Sequence, residues 1–129
     1  MKNILIVDND LGFVFWLCHV LDAAGYETVP ARGVREAMAA LEELDLWVDL
    51  LMVRGNLPGA DGFATELRSS QKGQLKTIAL IDSSDESGES IAAWDGWQVK
   101  LSVTDAIAGP IFLSLVHNAL SHGKSAPGC

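Results

Sequence analysis

Cysteine is scarce in this sequence: only Cys18 and Cys129 are present. One lies in an apolar stretch of helical period and the other ends a loose tail, so they read as two free thiols in a reducing compartment, and a disulfide framework is excluded. No CxxC pair and no His/Cys cluster with ligand spacing is present, which removes the usual zinc sites. Positive charge is also in short supply. Nine Lys and Arg face seventeen Asp and Glu, for a net charge of −8, and the basic residues are scattered. Such a surface repels phosphate backbones, so no nucleic-acid partner is expected. Long apolar runs are missing as well: Ile4-Leu5-Ile6-Val7 turns acidic at Asp8, too soon for a signal peptide or a membrane span. The expectation is a soluble cytoplasmic chain with no membrane partner.

What remains is a chain of 129 residues, 49% hydrophobic and 20% charged, enough for one compact domain with one core. The β-branched run 4–7 reads as a buried parallel strand whose end carries Asp8, Asn9 and Asp10. Residues 11–24 have helical period and stop at Gly25. Residues 27–29 form a second strand. Ala37, Met38, Leu41 and Leu44 mark a helix over 34–44, and residues 49–53 form a third strand. The loop 55–62 leads to a helix around 63–69, and residues 78–81 form a fourth strand. A polar loop over 83–90 enters a short helix near Ile91. Val99, Leu101 and Val103 alternate as in a fifth strand. Pro110 suits the first turn of a last helix, which runs to about Leu120. The domain therefore covers residues 1–120, and residues 121–129 form a frayed tail. Strands alternating with helices imply right-handed crossovers and a parallel sheet covered on both faces, an α/β three-layer sandwich. Ligands of such sheets bind beyond the carboxyl ends of the strands. Asp8, Asn9, Asp10, Arg54, Asp82 and Asp105 should gather at that rim.

Several stretches, in this order, resemble the receiver domains of two-component response regulators, the CheY-like proteins. Residues 4–10 look like the family's first strand with its acidic cluster. Ala23-Ala24-Gly25-Tyr26-Glu27 looks like the turn into its second strand. Asp49-Leu50-Leu51-Met52-Val53 with Leu57-Pro58-Gly59-Ala60-Asp61-Gly62 looks like its third strand and following loop. The resemblance spans residues 2 to about 120 and implies a doubly wound five-stranded sheet of order 2-1-3-4-5. It also implies a pocket in which two acids after the first strand and an aspartate ending the third hold Mg2+. That aspartate accepts a phosphoryl group from a histidine kinase. A Ser/Thr ending the fourth strand and a Lys after the fifth contact the phosphate. Here Asp8 matches the first acid, Asn9 stands at the second, and Arg54 stands at the phosphoacceptor. Asp82 falls at the Ser/Thr position. Matching the last helix puts Asp105 at the lysine, with Lys100 too early to serve.

Mg2+ wants hard anionic oxygens. A guanidinium has no acceptor atom and cannot deprotonate, so Arg54 can neither bind the metal nor take phosphate. The expectation is a degenerate pocket with no cofactor and no metal, Asp8 surviving as a vestigial ligand. Arg54 then serves as counter-ion to the surrounding acids, either as plain charge satisfaction or as a lock on one signalling state. Asn9 also reads as a cap at a strand-to-helix turn, and Asp82 as a cap of its loop.

In the first helix, Phe13, Trp16, Leu17, Val20 and Leu21 fit a core-facing stripe, which leaves Leu11, Val14, Phe15 and Cys18 as a second apolar face for a partner. The alternative is a rotated helix whose only solvent face carries His19 and Asp22. The last helix is apolar nearly all round, as a dimer interface or a more deeply buried helix would be. The functional expectation is a phosphorylation-independent signalling module that is not an enzyme and binds another signalling protein or a second copy of itself. A small-ligand sensor using the altered pocket is one alternative. A flavodoxin-like enzyme is another, weakened by the lack of a Gly-rich phosphate loop, of a nucleophile elbow, and of any histidine near the rim.

Overall fold

A computed structural model of the chain describes residues 2–82, 94–102 and 104–121. Its elements run β1 (Asn3–Val7), α1 (Leu11–Ala23), β2 (Glu27–Ala31), α2 (Val34–Leu44), β3 (Leu50–Arg54), α3 (Ala60–Ser70), β4 (Lys76–Ile81), β5 (Gly96–Val99) and α4 (Ala108–Ser121). The expected loop over 83–90, the short helix near Ile91, Val103 and residues 122–129 of the expected tail lie outside the described residues.

The five strands form one parallel sheet in the order β2-β1-β3-β4-β5. The central strands are apolar at nearly every position because helices cover both faces. Alternate side chains divide between two cores. Leu5, Val7, Leu51, Val53 and Ala79 pack with Ala37 of α2 and Phe63, Ala64 and Leu67 of α3. Ile4, Ile6, Leu50, Met52, Ile78 and Leu80 pack with Phe13, Val14, Leu17 and Leu21 of α1 and Phe112 and Val116 of α4. Pro30 sits exposed on β2, an edge strand, where a missing N–H does no harm.

Two expectations need correction. The first concerns α1, whose buried residues are Phe13, Val14, Leu17, Cys18 and Leu21. Val14 is 0% and Cys18 8% exposed, so neither belongs to an outer face; Leu11 and Phe15 remain exposed at 37% and 57%. The helix lies against the sheet on one side and α4 on the other, with the Trp16 and Phe112 rings 5.9 Å apart. Burial therefore covers a wider arc than a single stripe. Trp16 and Val20 turn toward that flank, and His19 and Asp22 are solvent-facing, as the rotated alternative requires.

The second correction concerns β5, which spans Gly96–Val99 and pairs Ile78 with Gly96 through Ile81 with Val99. Val99 packs on the α2/α3 core while Leu101 packs on the α1/α4 core. Residues two apart on one strand would share a face, so the chain has already turned at Lys100. The start of β5 is anchored by Asp95. Its carboxylate accepts from the Thr77 N–H at 2.8 Å and the Thr77 hydroxyl at 3.1 Å, and pairs with Arg68 of α3.

Candidate functional site

The carboxyl ends of β1, β3, β4 and β5 meet at one rim. Asp8 directly follows β1 and is 0% exposed. Its backbone N–H donates to Ala31 O at 3.0 Å. Its Oδ1 accepts from the Asp10 N–H at 2.9 Å, which folds the tripeptide back on itself. Asp10 caps α1, its Oδ1 accepting from the Phe13 N–H at 3.2 Å.

Two cations stand among these acids. Lys100 follows β5, and its N–H donates to Ile81 O at 2.7 Å, fixing its place beside β4. Its side chain is 7% exposed, and Nζ lies 3.1 Å from Asp8 Oδ2, 3.5 Å from Asp10 Oδ2 and 4.0 Å from Asp82 Oδ2. The same ammonium sits 4.9 Å from the centre of the Phe13 ring, within cation–π range. Arg54 ends β3 with its side chain 18% exposed. One terminal nitrogen lies 3.3 Å from Asp82 Oδ2, and the other donates to Asn9 Oδ1 at 3.0 Å.

The structure thus brings together Asp8, Asn9, Asp10, Arg54 and Asp82, as the sequence indicates. It leaves Asp105 out and puts Lys100 in. The Asp105 carboxylate accepts from the Ile107 N–H at 3.1 Å and its own N–H donates to Ser102 O at 2.9 Å, so it shapes the exposed turn into α4. Counting back from the last helix misplaced the lysine because the turn between β5 and α4 is long. The signal that identifies Lys100 is its position directly after a short strand that ends at the functional rim.

The donor set does not fit a Mg2+ ion. Asp8 and Asp10 both face one ammonium, and the Arg54 guanidinium at the end of β3 lies against Asp82. Two unit charges about 4 Å apart interact by roughly 4 kcal/mol at an intermediate dielectric, so each cation disfavours a divalent ion beside it. Among the described residues, no group of three or more His, Cys, Asp or Glu is arranged to hold a metal ion. No helix among them is long and apolar enough to cross a membrane.

No protein-family model matches the chain, and no curated protein matches it in sequence. Solved structures do. The response regulator TrrA from Thermotoga maritima, in complex with Mg2+-BeF, is 28% identical, with a TM-score of 0.71 over 93% of this chain and 100% of that one. The chemotaxis response regulator CheY4 of Vibrio cholerae is 24% identical, with a TM-score of 0.73 over 93% and 99%. A CheY-like receiver domain protein from Methanospirillum hungatei is 20% identical, with a TM-score of 0.77 over 95% and 96%. The sheet order 2-1-3-4-5 and these likenesses give the chain the CheY-like fold of response regulator receiver domains.

Proposed function

We infer that the domain is a two-component signalling module that acts by binding partner proteins and takes no part in phosphoryl transfer. The observation that carries this reading is Arg54 at the end of β3, held between Asn9 and Asp82. A phosphoacceptor must offer a nucleophilic oxygen, and a guanidinium has none. Lys100, seated on the buried Asp8, matches the lysine that receivers carry after the fifth strand, so the departure from their pattern rests on Arg54 with Asn9 and Asp82. Lys100 and Arg54 offset two of the three rim carboxylates from within the chain and tie the ends of β1, β3, β4 and β5 together. Signalling by such a domain runs through its surfaces. Leu11 and Phe15, exposed on α1 beside Pro30, belong to one surface available to a partner.

The test is incubation of the chain with acetyl phosphate and Mg2+, followed by intact-mass analysis. The expected result is no acid-labile adduct. Arg54→Asp on its own should also stay unlabelled, because Asn9 leaves the site a carboxylate short and Asp82 places negative charge where phosphoryl oxygens would lie. Labelling of the unmodified chain would overturn the reading. Labelling of the single mutant alone would show that Asn9 and Asp82 do not matter and that Arg54 is the whole block.

A further inference from the structure

The sheet face opposite α1 carries a second surface feature, remote from the carboxylate rim. α2 fully buries only Ala37, and the gap between it and α3 is an open groove of about 470 Å³. Met38 and Leu41 form one wall, Phe63 and Leu67 the other, and Leu46 and Trp47 close the end. Met38 and Trp47 are half exposed, at 50% and 47%. The Trp47 carbonyl accepts from the Asn3 side chain at 2.8 Å, so this tryptophan's backbone is fixed while its ring stays at the surface.

The polar groups of the groove decide what it can hold. Gln71 uses its whole amide on the chain itself: Oε1 accepts from the Val48 N–H at 2.9 Å, and Nε2 donates to Val48 O at 2.6 Å. The Ser70 hydroxyl donates to Leu67 O at 3.0 Å. Neither is left to orient a ligand inside, whereas pockets for small polar molecules depend on a few convergent polar groups. Beside the Trp47 indole N–H at the end of the groove, the remaining polar lining is one glutamate on each wall, Glu42 and Glu66, and neither forms an ion pair among the described residues. The C-terminal end of α2 adds to this field. Glu43 and Asp45 stand beside Glu42, and no basic residue lies in the last turn to offset the helix dipole.

We propose that the α2–α3 groove is a docking site for a basic amphipathic helix of a partner protein. Bulky apolar side chains of that helix would fill the floor, and Lys or Arg on its flanks would meet Glu42 and Glu66. Each groove-forming helix has 11 residues, roughly 16 Å at 1.5 Å per residue, which accommodates about three turns of a ligand helix. A second copy of this chain is a poor occupant, since its net charge is −8 and it would set acid against acid. The groove's role is separable from that of the rim, because no residue is shared between them.

The probe is a fluorescein-labelled Leu/Lys amphipathic helical peptide, titrated into the full chain and followed by anisotropy, with amide shifts mapped by NMR. Binding should weaken as salt rises, with shifts concentrated on residues 38–47 and 63–71. Glu42→Lys with Glu66→Lys should raise Kd more than about tenfold. Asp22→Lys with Glu27→Lys, an equal change in net charge on exposed residues outside the groove and its acidic rim, should leave it within about twofold. Met38→Asp should abolish binding while the far-UV spectrum stays native. Equal weakening by both charge-reversal pairs, or shifts centred on Leu11 and Phe15, would overturn the proposal. An anilinonaphthalene dye filling the groove while the peptide does not bind would overturn it in favour of a small-molecule cavity. Self-association lost in Met38→Asp would overturn it in favour of a second copy.

Discussion

Lys100 and Arg54 serve the same acids from different depths. Lys100 is nearly buried, and its partner Asp8 is completely so, whereas Arg54 and Asp82 are 18% and 38% exposed. Breaking a buried pair leaves an uncompensated charge and costs about 3–5 kcal/mol, while an exposed pair is worth about 0–1 kcal/mol. Lys100→Met should therefore destabilise the domain near the upper range, and Arg54→Ala should fall between the two. Urea midpoints of the two variants give the order. Adding Asp8→Asn to Lys100→Met should recover part of the loss, since the stranded carboxylate is then removed. A larger loss in Arg54→Ala than in Lys100→Met would contradict the burial argument. Cys18 belongs to the same scale. Burial pushes its thiol up, a hydrogen bond with Thr28 works against this, and the Asp22 charge adds to it. The thiol stays protonated and inert at neutral pH.

At the scale of elements, α1 offers the clearest contrast. Val14 is wholly buried in the core under α1, and Phe15, its neighbour in sequence, is more than half exposed. Val14→Asp should leave the chain largely unfolded, because an unpaired carboxylate in that core costs several kcal/mol out of a total stability of about 5–15 kcal/mol. Phe15→Asp should leave the melting temperature nearly unchanged and reduce capture of any partner that uses this surface. Circular dichroism melts separate the two. These elements also show what the sequence could tell. β1, β3 and β4 were legible because central parallel strands must be apolar on both faces. The rim residues Asp8, Asn9, Asp10, Arg54 and Asp82 were legible because they end such strands. The rotation of α1 was not, because two competing apolar stripes differ only in which neighbour they meet, and the flank against α4 is a tertiary fact. The place of β5 was not, because an edge strand of four residues carries little periodicity and Leu101 mimics its continuation.

For the molecule as a whole, the sheet divides labour between its faces. The α1/α4 face includes three mutually packed aromatic rings, Phe13, Trp16 and Phe112. The α2/α3 face sets several alanines beside Phe63 and Trp94 and leaves an open groove. The net charge of −8 spreads over both, so association with cationic partners should be fast at low salt and slow as ions screen it, with a Debye length of about 8 Å at physiological strength. Stopped-flow association of the basic peptide across a salt series checks this. An on-rate that does not depend on ionic strength would mean that the acidic surface does not steer partners.

The clamp of Thr77 and Arg68 on Asp95 also acts as a ruler. It fixes where β5 begins beside β4, and the strand then counts off its residues so that the next one, Lys100, arrives over Asp8. A slip by a single residue would turn every side chain of the strand to the other face and deliver Val99 to the carboxylates in place of the ammonium. The charge balance of the rim is thus set at the far end of the strand, by a residue that touches none of its acids. Asp95→Ala should consequently loosen the rim without altering any group in it, and hydrogen exchange of the Lys100 amide, which is bonded to Ile81, should accelerate. Unchanged protection of that amide would mean that the strand keeps its own count.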